Sequence, residues 1–455
     1  MKRYLLFIST FFIFSMCSCG VLNKLHPTGP TAPPQQNINE DVPSSISGTV
    51  YDSTMDDISL ITDDGQVYSF KIEPSIIKTT KNGIQKGFPI VVEYYGKLDQ
   101  SARIQNVKMK SINISDFDNL TPEEQVRKLL MVMSLEEKVG QMFIARCPEN
   151  DAAEKAAQYH LGGYILFSND FRNKTKSQVI SDIESYQKYS SIGMFIGVDE
   201  EGGTVNRISI YPQFRSQPFS SPQELYNDGG FNRIISDTKE KCELLKSLGI
   251  NMNFAPVCDV STDENDFIYK RAFGKDASST SQYIKTVVST MSECGTGSVL
   301  KHFPGYGNNV DTHTGIAYDK RPYSTFKNSD FLPFQEGISA GAGTVLVCHN
   351  IVECMDKDLP ASLSPEVHSI LRDDLGFEGV IITDDLYMDA IKEYFPVDEA
   401  AVMAVEAGND LLCSSDFEEQ ISAVCNAIKD GTISEDRINQ SVSRILKLKI
   451  HLGII

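Results

Sequence analysis

Residues 298–349 read SVLKHFPGYGNNVDTHTGIAYDKRPYSTFKNSDFLPFQEGISAGAGTVLVCH. An apolar run from Ser298 to Phe303 is stopped by Pro304 and Gly305. A long polar loop follows, then a helical pattern near 328–340, Gly341, and a second apolar run from Thr344. Such runs fit strands covered on both faces, and two of them separated by a helix form a parallel βαβ unit. The same phrase recurs along the chain. The strand-like runs are QMFIARC, YILF, MFIGVDEE, MNFAPVCDV, SVLKHF, TVLVCHNIV, GVIITDD and NDLLCSS. Helical stretches fall near 152–161, 177–190, 231–248, 278–294, 328–340, 364–375, 397–407 and 416–430, and a last one near 434–448. This alternation predicts a (β/α)8 barrel over residues 118–455, with a doubly wound open sheet as the alternative.

The loops are asymmetric. Helix-to-strand connections are short and marked by glycines such as Gly249, Gly295, Gly341 and Gly376, whereas strand-to-helix connections near 202–230, 260–277, 303–327 and 350–363 are long. In such barrels the site lies at the C-terminal ends of the strands, within the longer loops. Asp199, Asp259, Lys301, His302, His349, Asp384 and Ser414 all fall at strand ends. A barrel wall needs no such groups for stability, so together they point to a site, while any one of them has an ordinary structural use.

Upstream of the barrel, Thr121-Pro122-Glu123-Glu124 and Ser134-Leu135-Glu136-Glu137 are successive capping boxes, each opening a helix. Residues 46–115 alternate with period two and carry the turn Asp63-Asp64-Gly65, which predicts a small all-β, barrel-like module with no visible chemistry. Residues 19–45 are polar and proline-rich and read as a tether, reaching roughly 60–75 Å if extended at about 3.1 Å per residue. Residues 1–18 place Lys2 and Arg3 before a short apolar run, as signal peptides do. The following Met16-Cys17-Ser18-Cys19-Gly20 resembles a bacterial lipoprotein cleavage box. That resemblance implies lipid on Cys19 and an extracytoplasmic, membrane-anchored protein; an ordinary secretory signal is the alternative.

Across 455 residues, 61 acidic side chains outweigh 42 basic ones, a net charge of −19, which argues against a nucleic-acid partner. The ten cysteines form no CxxC pair, and the histidines lack ligand spacing, so neither metal nor other cofactor is expected. Cys258, Cys348 and Cys413 lie in apolar runs and read as buried free thiols.

Three segments carry candidate chemistry. In the first, Lys301 and His302 end a strand, and Asp311-Thr312-His313 follows on the loop. Lys301 is a donor for hydroxyls in a concave site. Asp311 and His313, two residues apart, can point the same way, and a carboxylate beside an imidazole makes a proton shuttle. In the second, four apolar residues lead to Asp384-Asp385. Adjacent strand residues face opposite ways, so one enters the barrel mouth as a potential nucleophile and the other is structural. In the third, Asp199-Glu200-Glu201 precede Gly202-Gly203 and Arg207, giving either acceptors for sugar hydroxyls or an Asp199–Arg207 ion pair.

From MSLEEKVGQMF at Met133 to the C-terminus the chain resembles glycoside hydrolase family 3, in its bacterial β-N-acetylglucosaminidase branch. KHFPGxG followed by DxH carries the resemblance, with Tyr306 where a second histidine is common. The resemblance implies Asp384 as nucleophile and His313 as acid/base partnered by Asp311. It also implies that Asp199, Arg207, Arg271, Lys301 and His302 bind the sugar. The implied reaction is retaining hydrolysis of terminal β-linked GlcNAc from cell-wall or chitin-type oligosaccharides. Imidazole in place of a second carboxylate also admits phosphate as acceptor, so a phosphorylase is an alternative, as is a β-glucosidase or β-xylosidase. A surface glycan-binding lipoprotein is the non-enzyme alternative; it would lack the nucleophile or the dyad, and neither is missing.

Overall fold

The computed structural model describes residues 42–455 apart from 73, 79–83 and 310–314. The period-two segment forms a six-stranded sheet. Its order is Val67–Lys71, Asp57–Ile61, Ser44–Ser53, Pro89–Tyr95, Lys108–Ile114, Ile77–Lys78. Alternate residues such as Val50, Leu60, Phe70, Ile90, Val92 and Ile112 build its core, as the period requires. Beyond the strand ladder, the Gln105 N–H, just before Lys108–Ile114, donates to the Ser69 carbonyl of the edge strand Val67–Lys71 at 2.8 Å. The two-residue strand Ile77–Lys78 runs parallel to Lys108–Ile114. The sheet rests on the helix Pro122–Val132, where Lys128 Nζ donates to Thr49 Oγ1 at 3.0 Å and Leu129 packs into the sheet's core. Both expected capping boxes form, at Thr121/Glu124 and Ser134/Glu137.

The alternating segment closes into a parallel barrel. Its strands are β1 (Phe143–Arg146), β2 (Gly163–Leu166), β3 (Phe195–Val198), β4 (Met252–Asn253), β5 (Gly297–Phe303), β6 (Thr344–Val347), β7 (Val380–Thr383) and β8 (Leu412–Ser414). Each of the eight expected runs supplies one strand. Sequence neighbours pair in parallel from β1 to β7, and β8 pairs with β1. The ring closes between β7 and β8 through the Ile382–Leu411 bridge, where the Thr383 N–H donates to the Leu411 carbonyl at 3.1 Å. Because helices cover the outside and side chains fill the inside, strands such as β3, β6 and β7 are buried at every residue.

Three helices depart from the sequence reading, one of them at 364–375, where Pro365–Ser369 passes into a wide turn at Ile370–Asp374. The helix expected at 231–248 is continuous with an earlier one in Pro222–Ser247, but Gly229 and Gly230 break its geometry. Gly230 has φ +61°, which a side chain would disfavour, so regular helix resumes near where the pattern placed it. The helix expected at 328–340 begins with a wide turn, Phe326–Asp330, before Phe331–Ser339. Pro333 has no N–H to give to a regular first turn.

Candidate active site

The long loops gather at the C-terminal ends of the strands around a cavity of about 410 Å³, within the roughly 300–1,000 Å³ of small-molecule sites. Each expected site residue within the described part of the chain lines it: Asp199, Arg207, Arg271, Lys301, His302 and Asp384. Asp311 and His313 fall in 310–314, and Cys19 in 1–41, outside the described residues.

The floor is a network of charge. Lys301, at the end of β5, places its ammonium 2.6 Å from Asp199 Oδ1 and 2.6 Å from Glu201 Oε1. Arg271 grips Glu201 with two nitrogens, Nε donating to Oε2 at 3.0 Å and Nη2 to Oε1 at 2.8 Å. Burial works against a charge on Glu201, but Arg271 and Lys301 outweigh it and hold the carboxyl well below its usual range. Burial likewise opposes the Arg271 charge, and Glu201 more than restores it. Arg207 stands 3.8 Å from Asp199 and lies over the Phe167 ring, which Arg146 covers from 4.6 Å.

His302 sits between unlike neighbours. Its Nδ1 lies 2.8 Å from Asp259 Oδ2 and its Nε2 lies 3.0 Å from Arg271 Nη2. A guanidinium can only donate, so Nε2 is the acceptor and the proton is on Nδ1, donated to Asp259. The other Asp259 oxygen accepts from the Tyr306 N–H at 2.7 Å, and the Tyr306 ring meets His302 edge-on at 5.0 Å.

Glu200 points away and builds the loop. Its carboxylate accepts from the backbone N–H groups of Arg207 at 2.9 Å, Ile208 at 2.8 Å and Ser209 at 3.2 Å, which fixes the turn that returns Arg207 to the cavity. Asp384 and Asp385 follow β7. Both residues border the cavity. The strand ends at Thr383, so strict alternation no longer applies. Their surroundings still separate them. Asp385 accepts from the Tyr387 N–H at 3.0 Å and from Ser415 Oγ at 3.0 Å, and its carbonyl lies 3.0 Å from His349 Nε2. Burial pushes the Asp385 carboxyl up, against those two donors. The Asp384 N–H donates to the Val347 carbonyl at 3.0 Å, and its Oδ1 accepts the Asp385 N–H at 2.9 Å.

Sequence reasoning did not assign Glu201 or pair Asp259 with His302. The signal for the first was its place in the acidic run Asp199-Glu200-Glu201 directly after β3, which ends at Val198. Of the other strand-end groups, Ser414 only caps its own turn, accepting from the Asp416 N–H at 3.0 Å. Cys258, Cys348 and Cys413 are buried free thiols, and burial raises all three well above an ordinary thiol. A larger cavity, about 860 Å³, opens at the other end of the barrel beside Arg372, Arg437 and Arg444. Two of these arginines hold backbone carbonyls and all three surround the buried Asp410, so volume is a poorer guide here than converging acid, base and donor groups.

Comparison with known proteins gives the same answer from another direction. The profile described as "Glycosyl hydrolase family 3 N terminal domain" matches residues 134–448. Beta-hexosaminidase A of Pseudoalteromonas piscicida is 29% identical over 335 residues, 66% of this chain and 55% of that protein. The chain thus spans about half the length of that relative. Beta-hexosaminidase LpqI of Mycobacterium tuberculosis is 26% identical over 330 residues, 70% of this chain and 83% of the relative. Among solved structures, a glycoside hydrolase family 3 beta-N-acetylglucosaminidase from Paenibacillus sp. str. FPU-7 superposes with a TM-score of 0.66 at 30% identity, covering 71% of this chain and 63% of that one.

Proposed function

The chain belongs to glycosyl hydrolase family 3, and from that premise we propose that it is a retaining β-N-acetylhexosaminidase releasing terminal β-linked GlcNAc from cell-wall or chitin-type oligosaccharides. The observation that carries this reading is the meeting of Asp384 with Asp199, Lys301, Arg207, Arg271 and His302 around one cavity. In the first step an Asp384 oxygen attacks the anomeric carbon, the glycosidic C–O bond breaks, and His313 gives its proton to the leaving oxygen. In the second, His313 takes a proton from water, the water oxygen attacks the same carbon, and the carboxylate leaves. Asp311 orients and charges the imidazole; this pair is carried by the sequence motif. Asp384 suits the nucleophile better than Asp385, whose oxygens are held by Ser415 and Tyr387 and whose burial favours the protonated form.

The printed name of the Paenibacillus structure, a beta-N-acetylglucosaminidase, supports the GlcNAc preference. The leader and tether support an extracytoplasmic protein anchored to the membrane by lipid on Cys19. The deciding assay compares 4-nitrophenyl β-GlcNAc with the β-glucoside and β-xyloside, with and without phosphate. The expected result is fastest turnover of the GlcNAc compound to free sugar, phosphate making no difference. Faster glucoside turnover overturns the substrate assignment, and sugar 1-phosphate as product overturns hydrolysis.

A further inference from the structure

The turn Pro304-Gly305-Tyr306-Gly307 closes around one side chain, Arg321. Its Nη1 donates to both oxygens of Asp330, at 2.9 and 3.2 Å. Its Nη2 donates to Asp319 Oδ2 at 2.8 Å and to the Gly305 carbonyl at 3.2 Å. Its Nε donates to Asp319 at 2.9 and 3.1 Å, and the guanidinium plane lies 4.3 Å from the Phe326 ring centre. Both carboxylates are buried, at 2% and 1% exposure. The two glycines leave the room this requires. A Cβ on Gly307 would fall 2.4 Å from Arg321 Cζ, and one on Gly305 would fall 2.6 Å from Asp330 Oδ1.

The partners of Arg321 come from three places. Gly305 lies just past β5. Asp319 lies in the short strand Tyr318–Asp319, which pairs with Ile351–Val352 beyond β6. Asp330 ends the wide turn that leads into the helix Phe331–Ser339. One guanidinium therefore ties the chain entering residues 308–316 to the chain leaving them. We propose that Arg321 is a positioning residue for catalysis: by fixing both ends of the segment that carries Asp311 and His313, it sets the aim of the acid/base at the leaving oxygen. This rests on the reading of His313 given above. Fixing the ends of a loop narrows the positions its middle can take, and acid catalysis is sensitive to about 1 Å of misplacement, roughly 100-fold in rate. Lysine keeps the charge but cannot present the fork that holds Asp319, Asp330 and a carbonyl at once.

The test uses Arg321→Lys and Gly307→Ala in the full chain, with His313→Ala as reference. kcat/KM is measured on aryl β-GlcNAc substrates with a good (2,4-dinitrophenyl) and a poor (4-methylphenyl) leaving group, together with thermal melts and pH profiles. Both variants are expected to lose about 100-fold on the poor leaving group and less than about 5-fold on the good one, with a flattened acid-catalysis limb. Equal losses on both leaving groups, or none, overturn the proposal, since general destabilisation does not depend on the leaving group. Gly307→Ala keeps every charged group of the clamp, so it decides the matter even if Arg321→Lys does not fold. If His313→Ala itself shows no leaving-group dependence, the acid/base reading fails; if it does and the other two variants do not, only the role of Arg321 fails.

Discussion

Glu201 is buried between an ammonium and a guanidinium. Lys301 has Asp199 as a second carboxylate, whereas the hydrogen bonds of Arg271 go to Glu201 and to His302. Glu201→Gln keeps the shape and removes the charge, leaving a buried guanidinium short of its anion; a loss of about 3–5 kcal/mol in stability is expected near neutral pH. The sign of its pH dependence follows from the depressed carboxyl. The stabilisation is fully present above the ordinary value of 4.5 and is lost as pH falls below it. Denaturant titrations of both proteins should therefore differ most near neutrality and converge in acid; a constant difference would mean that Glu201 acts through packing. The chemistry of this corner was legible in Asp199-Glu200-Glu201, but its partition was not, because the run lies past the end of β3, where alternation no longer decides which way each carboxylate faces. Nor was the rest. That Asp259 meets His302 joins chain segments 43 residues apart, and that Glu200 gathers the amides of Arg207, Ile208 and Ser209 depends on the path of an irregular loop; no periodic pattern records either.

At the scale of elements, the strands were legible because both faces of each are buried and the apolar runs are therefore continuous. Helix limits were less so. Nothing in Asp228-Gly229-Gly230-Phe231 says that an earlier helix abuts the later one. The last helix, Glu435–His451, hides a subtler case. Lys449 sits among the apolar positions of the buried face, with no exposure, 5.0 Å from the Phe195 ring centre, donating to Gln141 Oε1 at 2.6 Å. Burial lowers its amine to about 7. Between there and the ordinary value of 10.5 the unfolded chain holds a proton that the folded chain has released, so this group's contribution to stability rises with pH across that window and is flat below it. Lys449→Met should remove a slope of at most about 1.4 kcal/mol per pH unit from the stability–pH curve between neutrality and pH 10. Parallel curves for the two proteins would show that the amine stays charged inside.

At the scale of the molecule, the two ends of the barrel do different work. The N-terminal end is tied by Asp410, which accepts from the Ile381 N–H at 3.0 Å, Ser441 Oγ at 2.6 Å and Arg444 at 3.0 Å, and by Arg372. The C-terminal end carries the cavity. The sequence told these ends apart through loop length and the polar residues at the strand ends, and it recovered the barrel, the strand order and six of the cavity's residues. For the β module, period-two alternation set which residues lie inside and left open how the ladder ends. The central claim is that Asp384 becomes covalently bound to the sugar, and a slow fluorinated GlcNAc donor tests it most directly. After incubation, quenching and digestion, mass spectrometry should find the added sugar on the peptide containing Asp384, on that side chain, with activity returning as the adduct turns over. A label on Asp385, or a fully active enzyme that never carries a label, would contradict the account.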